Sequence, residues 1–107
     1  MNKKAASLVL GLVLSLAPFG GASDAPGPVV HIENFSFRPA RLEVPAGSTV
    51  VWVNDDEEIH AVFSLDGSFT SPGIDGDEKY QHVFTKPGVY EYRCSLHPQM
   101  HGTIVVR

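Results

Sequence analysis

Cysteine is nearly absent from this sequence. Cys94 is the single cysteine among 107 residues, so the chain cannot form an internal disulfide, and the paired Cys-x-x-Cys motifs of zinc fingers are excluded. Basic residues are also few, with 8 lysines and arginines against 12 acidic residues and a formal net charge of −4. This balance argues against nucleic acids and anionic membranes as partners and favours basic proteins.

Long apolar runs are confined to the N-terminus. Lys3 and Lys4 precede an apolar stretch from Ala5 to Phe19, and small residues follow it. This order is that of a secretory signal peptide, and we predict that residues 1–22 are removed on export. A retained membrane anchor is the alternative, but the stretch is short for the ~20 residues that a span requires. We therefore expect a periplasmic or otherwise extracytoplasmic protein with no membrane span after signal cleavage.

The rest of the chain has room for one small domain. We expect residues 23–28 to form a short linker and residues 29–107 to form the domain. Without Lys3 and Lys4 the mature chain has six basic residues against twelve acidic ones, a net charge of −6. A domain of this size buries only about 60% of its unfolded surface and is marginal without disulfides or metal. A bound metal would therefore add usefully to its stability.

Helical periodicity is lacking after the signal, whereas short β-type patterns recur between turns that contain Gly or Pro. The predicted strands are 29–37, 42–44, 49–53, 59–65, 80–84, 89–94 and 103–107. The strand 49–53 is apolar on both faces, which predicts a central strand covered on both sides. Residues 66–79 form the longest predicted loop. The spacing of the strands predicts an all-β sandwich or barrel.

A cluster of possible metal ligands lies near the C-terminus. In Cys94-Ser-Leu-His97-Pro-Gln-Met100 a thiol, an imidazole and a thioether are each three residues apart. Two histidines and a cysteine with a weak axial methionine form the blue-copper electron-transfer site, which serves both Cu(I) and Cu(II). The missing second histidine is predicted to be His60. This prediction requires that the fold bring His60 to Cys94.

Strand alternation predicts which way the thiol points. Tyr90, Tyr92 and Cys94 share one face of their strand, and Glu91 and Arg93 share the other. Because the charged face must meet water, Cys94 is expected to point into the core. The chain leaves the strand there, so a short loop can place His97 and Met100 around the same point.

The motif resembles that of the cupredoxins. The ligand cluster follows the segment Phe84-Thr-Lys-Pro-Gly-Val-Tyr90-Glu-Tyr92, and Gly47-Ser-Thr-Val-Val-Trp52-Val-Asn54 precedes His60. Further upstream, Phe35-Ser-Phe37-Arg-Pro39 is also similar to the family. The gap of two residues between successive ligands, with proline after the second histidine, is most similar to amicyanins, whereas plastocyanins and pseudoazurins have a longer gap between histidine and methionine. The resemblance covers nearly the whole chain from residue 29.

The resemblance implies a fold, a cofactor and a ligand set. The fold would be a cupredoxin-like Greek-key β-sandwich of about seven to eight strands. One copper ion would be held by His60, Cys94 and His97 in its plane and by Met100 on its axis. The remaining histidines, His31, His82 and His101, lack ligand spacing and are interpreted as strand or surface residues.

Two departures from the family pattern concern the surroundings of the site. Ala61 stands where many cupredoxins have asparagine, so the side-chain tie to the residue after the cysteine, Ser95, is lost. The backbone N–H of Ala61 can still donate to the Cys94 sulfur. Leu96 and Gln99 stand where amicyanin-like loops have proline and phenylalanine. Such outer contacts tune metal sites, so the reduction potential cannot be read from the sequence.

The ligand set predicts an electron carrier rather than an enzyme. We expect a monomer that moves single electrons between redox proteins, whether a dehydrogenase, a cytochrome or an oxidase, by cycling between Cu(I) and Cu(II). The main alternative is a periplasmic copper-binding protein or chaperone without an electron-transfer role. A structural zinc site would not recruit methionine, and an enzyme with a Cys/His nucleophile would need no copper.

An acidic run directly precedes the first histidine. Asp55, Asp56, Glu57 and Glu58 lie two to five residues before His60. One interpretation is a patch that steers a basic redox partner, with an association rate that falls as salt rises. The other is a solvated turn without a role in docking.

Overall fold

The computed structural model describes residues 27–107, which form a sandwich of two β-sheets. Within these residues there are eight strands and no helix. The strands are β1 (Val29–Glu33), β2 (Ser36–Arg38), β3 (Arg41–Val44), β4 (Ser48–Asn54), β5 (Phe63–Ser64), β6 (Lys79–Phe84), β7 (Gly88–Arg93) and β8 (His101–Val106). The all-β prediction is confirmed.

The predicted signal peptide and most of the predicted linker lie outside the described residues, so their boundaries stay predictions. Within residues 27–107, no helix is long and apolar enough to span a bilayer.

Each sheet has four strands and one parallel pair. The first sheet has the order β2-β1-β4-β6 and the second β3-β8-β7-β5. Strands β1 and β4 run parallel, as do β3 and β8, and the other neighbours are antiparallel. The two parallel pairs join strands that are distant in sequence, so the N-terminal part of the domain is tied to its C-terminal strand.

The core lies between the sheets and is rich in aromatic rings. Trp52 of β4 is fully buried and meets the ring of Tyr92 edge to face, at 5.5 Å between centroids. Tyr92 in turn covers Gly102 so closely that a methyl group added there would lie 2.5 Å from the Tyr92 Oη. Burial raises the pKa of the Tyr92 phenol, which therefore stays neutral. This packing holds the strand that leads to Cys94 against its neighbours.

Three details of the predicted strands were wrong. The strand 29–37 is broken by a two-residue turn at Asn34 and Phe35, both with positive φ, which makes it the hairpin β1–β2. The predicted strand 59–65 is reduced to β5, because residues 59–62 do not pair with β7. Strand β4 buries Val50, Trp52 and Asn54 but leaves its other face only half-buried, so it is not covered on both sides.

The predicted long loop returns onto the chain before β5. Single bridges pair His60 with Ile74 and Phe63 with Thr70. Ile74 and Phe69, both within this loop, are buried in the core. The loop therefore covers the segment that contains His60 and takes the place of a longer strand there.

Candidate metal centre

Cys94 lies just beyond the end of β7 and points into the core. Its side chain is fully buried, as is that of Tyr92 on the same face, while Glu91 and Arg93 are exposed. The Cys94 N–H donates to the carbonyl of Met100 at 3.1 Å, which closes the loop that follows. The predicted inward orientation of the thiol is thus observed, and its cause is the charged outer face of β7.

His60 is held at the same end of the sandwich by its own backbone. Its N–H donates to the Ile74 carbonyl at 3.1 Å, and its carbonyl accepts from the Ile74 N–H. The imidazole is fully buried. The next residue, Ala61, donates its N–H to the Cys94 Sγ at 3.5 Å, as the sequence suggested. Two chain segments 33 residues apart are therefore joined at the Cys94 sulfur.

Three donor atoms converge at this point. The Cys94 Sγ lies 3.8 Å from His60 Nδ1 and 3.7 Å from His97 Nδ1, and the three donor atoms lie within 4.8 Å of one another. For metal bonds of about 2.3 Å to sulfur and about 2.0 Å to nitrogen, an angle of about 120° places the two donors about 3.7 Å apart. The observed separations thus fit one metal ion in a trigonal arrangement.

Met100 completes the short loop. Its N–H donates to the His97 carbonyl at 2.9 Å, and the side chain is buried in the same core as Cys94. A thioether adds a soft, weak donor to a set of one thiolate and two imidazoles, and this combination suits copper better than zinc.

The outer nitrogen of His60 is occupied by a carboxylate. His60 Nε2 lies 2.9 Å from Asp56 Oδ2, and this carboxylate is only 13% exposed. Partial burial alone would raise the pKa of Asp56, but hydrogen bonds from the backbone N–H groups of Phe35 and Asn34 and from His60 outweigh burial and lower it. An anionic Asp56 fixes His60 with Nδ1 free to bind a metal, which is the usual arrangement of a ligating histidine.

Asn54 organises the acidic loop from inside. This buried amide donates from Nδ2 to the carbonyls of Glu58 and Ile74, each at 2.8 Å, and its Oδ1 accepts from the Asp56 N–H at 2.9 Å. The contacts with Asp56 and Glu58 shape the loop that precedes His60, and the contact with Ile74 joins this loop to the neighbouring one. Asn54 therefore fixes the approach of the chain to the metal centre.

The other histidines lie outside the cluster. His31 is exposed and pairs with Asp55 at 2.7 Å. His82 packs against the rings of Phe69 and Phe84, and this partial burial lowers its pKa. His101 is exposed at the start of β8. Among the described residues, the potential metal-binding group includes only His60, Cys94 and His97 from the His, Cys, Asp and Glu side chains.

Sequence reasoning missed three residues that support the centre. Asn54 was given no role, and Asp56 was treated only as part of the acidic run, although both side chains point inward. Phe35 was read as part of a strand, although its ring contacts the rings of His60 and His97. The sequence signal for Asn54 and Asp56 was their proximity to His60. For Phe35, which is 25 residues from His60, the only signal was its place in a segment that resembles the cupredoxins.

Comparison with known proteins identifies the family. A protein-family model described as the cupredoxin-like domain matches residues 4–106 of this chain. Amicyanin from Paracoccus denitrificans is 34% identical over 98 residues, which are 86% of this chain and 75% of that relative. Amicyanin from Paracoccus versutus is 33% identical, over 79% of this chain and 70% of the relative.

Solved structures agree with this assignment. A Cu(I) form of an amicyanin variant matches with a TM-score of 0.73 and 28% identity, over 80% of this chain and 89% of that chain. A copper-containing nitrite reductase from Thermus scotoductus matches with a TM-score of 0.74 and 35% identity, over 78% of this chain but only 23% of the enzyme's chain. The predicted cupredoxin-like sandwich is confirmed, and the chain belongs to the cupredoxin family.

Proposed function

We propose that this protein is a monomeric electron carrier with one copper ion. His60, Cys94 and His97 would hold the ion, and the thioether of Met100 would be a further, weaker donor. The observation that carries the proposal is the convergence of one sulfur and two imidazole nitrogens at 3.7–3.8 Å beside a buried methionine. When bound, copper supplies a one-electron couple between Cu(I) and Cu(II).

The protein contributes a donor set that is already assembled. His60 is fixed by Ile74 and Asp56, and Cys94 by the Met100 carbonyl and the Ala61 N–H. Because these contacts do not depend on the metal, the donor atoms have little freedom to follow the geometry that each oxidation state prefers. A small rearrangement on gain or loss of an electron favours rapid transfer.

His97 provides the route for electrons to leave. Its ring is partly exposed, whereas the other candidate ligands are buried. Exposed Leu96 and Pro98 flank it. An imidazole that reaches the surface through an apolar rim gives a partner protein the shortest path to the buried sulfur.

Several observations support a carrier over an enzyme. The match to a nitrite reductase covers only 23% of that enzyme's chain, so this protein corresponds to a domain-sized part of it. A surface groove of about 290 Å³ involves His82, Lys86 and Tyr90 but none of the candidate ligands. We further propose export to an extracytoplasmic compartment, which the signal-like N-terminus supports.

The test is addition of Cu(II) to the apoprotein. We expect an intense visible absorption from sulfur-to-copper charge transfer, at one copper per chain, that a one-electron reductant bleaches and an oxidant restores. A weak absorption, or binding of Cu(I) without any coloured oxidised form, would instead support the copper-chaperone alternative.

The structure also refines the acidic run near the centre. Asp56 is turned inward, and Asp55 is exposed but pairs with His31. Glu57 and Glu58 are exposed. The loop with Asp75, Asp77 and Glu78 adjoins them: the Asp77 N–H donates to the Asn54 carbonyl, and the Asn54 N–H to the Glu78 carbonyl. Seven of the twelve acidic residues thus lie on two adjoining loops beside His60.

This acidic surface is proposed to steer a basic redox partner. The double variant Glu57→Gln/Glu58→Gln, which keeps Asp56, is expected to slow electron transfer with a basic c-type cytochrome at low salt and to match the parent at high salt. The control variant Glu43→Gln/Asp66→Asn changes the same number of charges away from the metal centre. Equal rates for parent and both variants at low salt would contradict the steering role.

A further inference from the structure

Phe35 lies in a turn that ordinarily disfavours its side chain. Asn34 and Phe35 form the two-residue connection of the β1–β2 hairpin, with φ values of 54° and 56°. Turns of this type prefer Asn followed by Gly, because both residues take positive φ. A bulky residue in this region is strained. Phe35 is also 42% exposed, so burial in the core does not explain its presence.

A carboxylate from the metal centre holds this turn in place. Asp56 Oδ1 accepts from the Asn34 N–H at 2.7 Å, and Asp56 Oδ2 accepts from the Phe35 N–H at 2.9 Å. The same Oδ2 lies 2.9 Å from His60 Nε2. One mostly buried carboxylate therefore joins the strained turn to a candidate ligand, and charge-assisted hydrogen bonds of this type are strong.

The ring of Phe35 meets both candidate histidine ligands. Its centroid lies 5.1 Å from that of His60 and 4.9 Å from that of His97, with interplanar angles of 86° and 88°. The two imidazoles are themselves 5.1 Å apart. Edge-to-face pairs at these distances are the favourable geometry for aromatic rings. The three rings form a closed triangle whose third member comes from a remote hairpin.

We propose that Phe35 is a positioning residue for the metal centre: clamped by Asp56, its ring fixes the orientation of His97 relative to His60. This inference deepens the proposed function, since it names what restrains the exposed ligand. His60 is already fixed by Asp56 and by the backbone of Ile74. For His97, which lies in a loop and is partly exposed, the Phe35 ring supplies the lateral restraint, and it does so before any metal binds.

The competing explanation is that Phe35 is only an apolar surface residue for docking. Leucine would preserve most of that apolar surface and share the backbone strain, but it has no ring to meet the imidazoles. Glycine removes the side chain and relieves the strain at positive φ. Tyrosine keeps the ring and the strain. The three variants therefore separate ring contact from apolar surface and from backbone stability.

The experiment is NMR of the apoprotein with nitrogen-labelled histidines. We expect Phe35→Gly and Phe35→Leu to lose the restraint on His97, with the population of turned-away ring conformers rising about fivefold, the factor that one aromatic pair corresponds to. His60 should stay ordered in both, and Phe35→Tyr should resemble the parent. The thermal unfolding temperature of Phe35→Gly should be no lower than that of Phe35→Leu. General destabilisation would then be excluded as the cause of the disorder at His97.

The copper-loaded protein gives a second readout. The electron self-exchange rate should fall in Phe35→Leu as well as in Phe35→Gly, whereas a docking role alone predicts that Phe35→Leu matches the parent. A His97 ring equally ordered in the parent, Phe35→Gly and Phe35→Leu apoproteins would overturn the inference. Because the apoprotein measurement needs no copper, it decides the role of Phe35 independently of the visible spectrum that tests the proposed function.

Discussion

Replacement of Cys94 by alanine is expected to abolish the intense visible absorption of the Cu(II) protein. The absorption requires a sulfur bonded to copper, and Cys94 supplies the only thiol of the chain. Its side chain is fully buried and lies 3.7 and 3.8 Å from the two imidazole nitrogens, so no other residue can take its place without rearrangement. Changes to outer contacts alone weaken metal binding 10–100-fold, and loss of the thiolate should cost more than about 100-fold.

The measurement is a copper titration followed by visible spectroscopy, with circular dichroism to verify that the apoprotein is folded. The neighbouring Ser95→Ala is the control, since Ser95 is exposed and outside the metal-binding group. It should keep the colour and the stoichiometry of the parent. An intense band that persisted in Cys94→Ala would show that the thiol is not a ligand.

Replacement of Met100 by glutamine is expected to keep copper and lower the reduction potential. Met100 is buried, and its backbone bonds to Cys94 and His97; glutamine has a similar length but offers a hard amide oxygen in place of a soft sulfur. Hard donors favour Cu(II) over Cu(I). We expect a fall of at least about 60 mV, which corresponds to about a tenfold change in the Cu(II)/Cu(I) ratio of a one-electron couple.

Met100→Leu is the matched control for core packing. Leucine keeps an apolar side chain of similar volume but has no sulfur, so if Met100 is a ligand Cu(II) would lose one donor and the potential should rise. The two variants should therefore move the potential in opposite directions in a voltammetric measurement. If Met100 were only core filler, both variants would leave the potential at the parent value, and this result would remove it from the ligand set.

The fold class could be predicted from the local sequence pattern, because successive side chains of a strand in a sandwich point alternately to the core and to water. Alternation around Tyr92 and Cys94 correctly indicated the inward face of β7, since Glu91 and Arg93 had to meet solvent. The same reasoning overestimated how deeply the outer face of strand β4 is buried. The β-branched residues on its outer face are only half-buried. The sequence pattern of such a strand is the same as that of a strand covered on both sides.

The local sequence pattern did not predict where the strands near the candidate metal centre end. The predicted strand 29–37 ran through Asn34 and Phe35, whereas in the structure hydrogen bonds from both N–H groups to Asp56 help to hold these two residues at positive φ. Likewise, the segment from His60 to Val62 alternates as a strand would. In the structure its backbone instead bonds to Ile74, to the Cys94 sulfur and to Ser71.

The donor atoms that a metal could use were evident from one short stretch of sequence. A thiol, an imidazole and a thioether three residues apart lie on one short loop, and their chemistry is local to those residues. The assembly and restraint of the site depend instead on the folded structure. It brought His60 within 3.8 Å of the sulfur, turned Asp56 inward and set Phe35 against both histidines. These contacts join segments far apart in the chain, and their free energy depends on distance and burial, which a linear sequence does not contain.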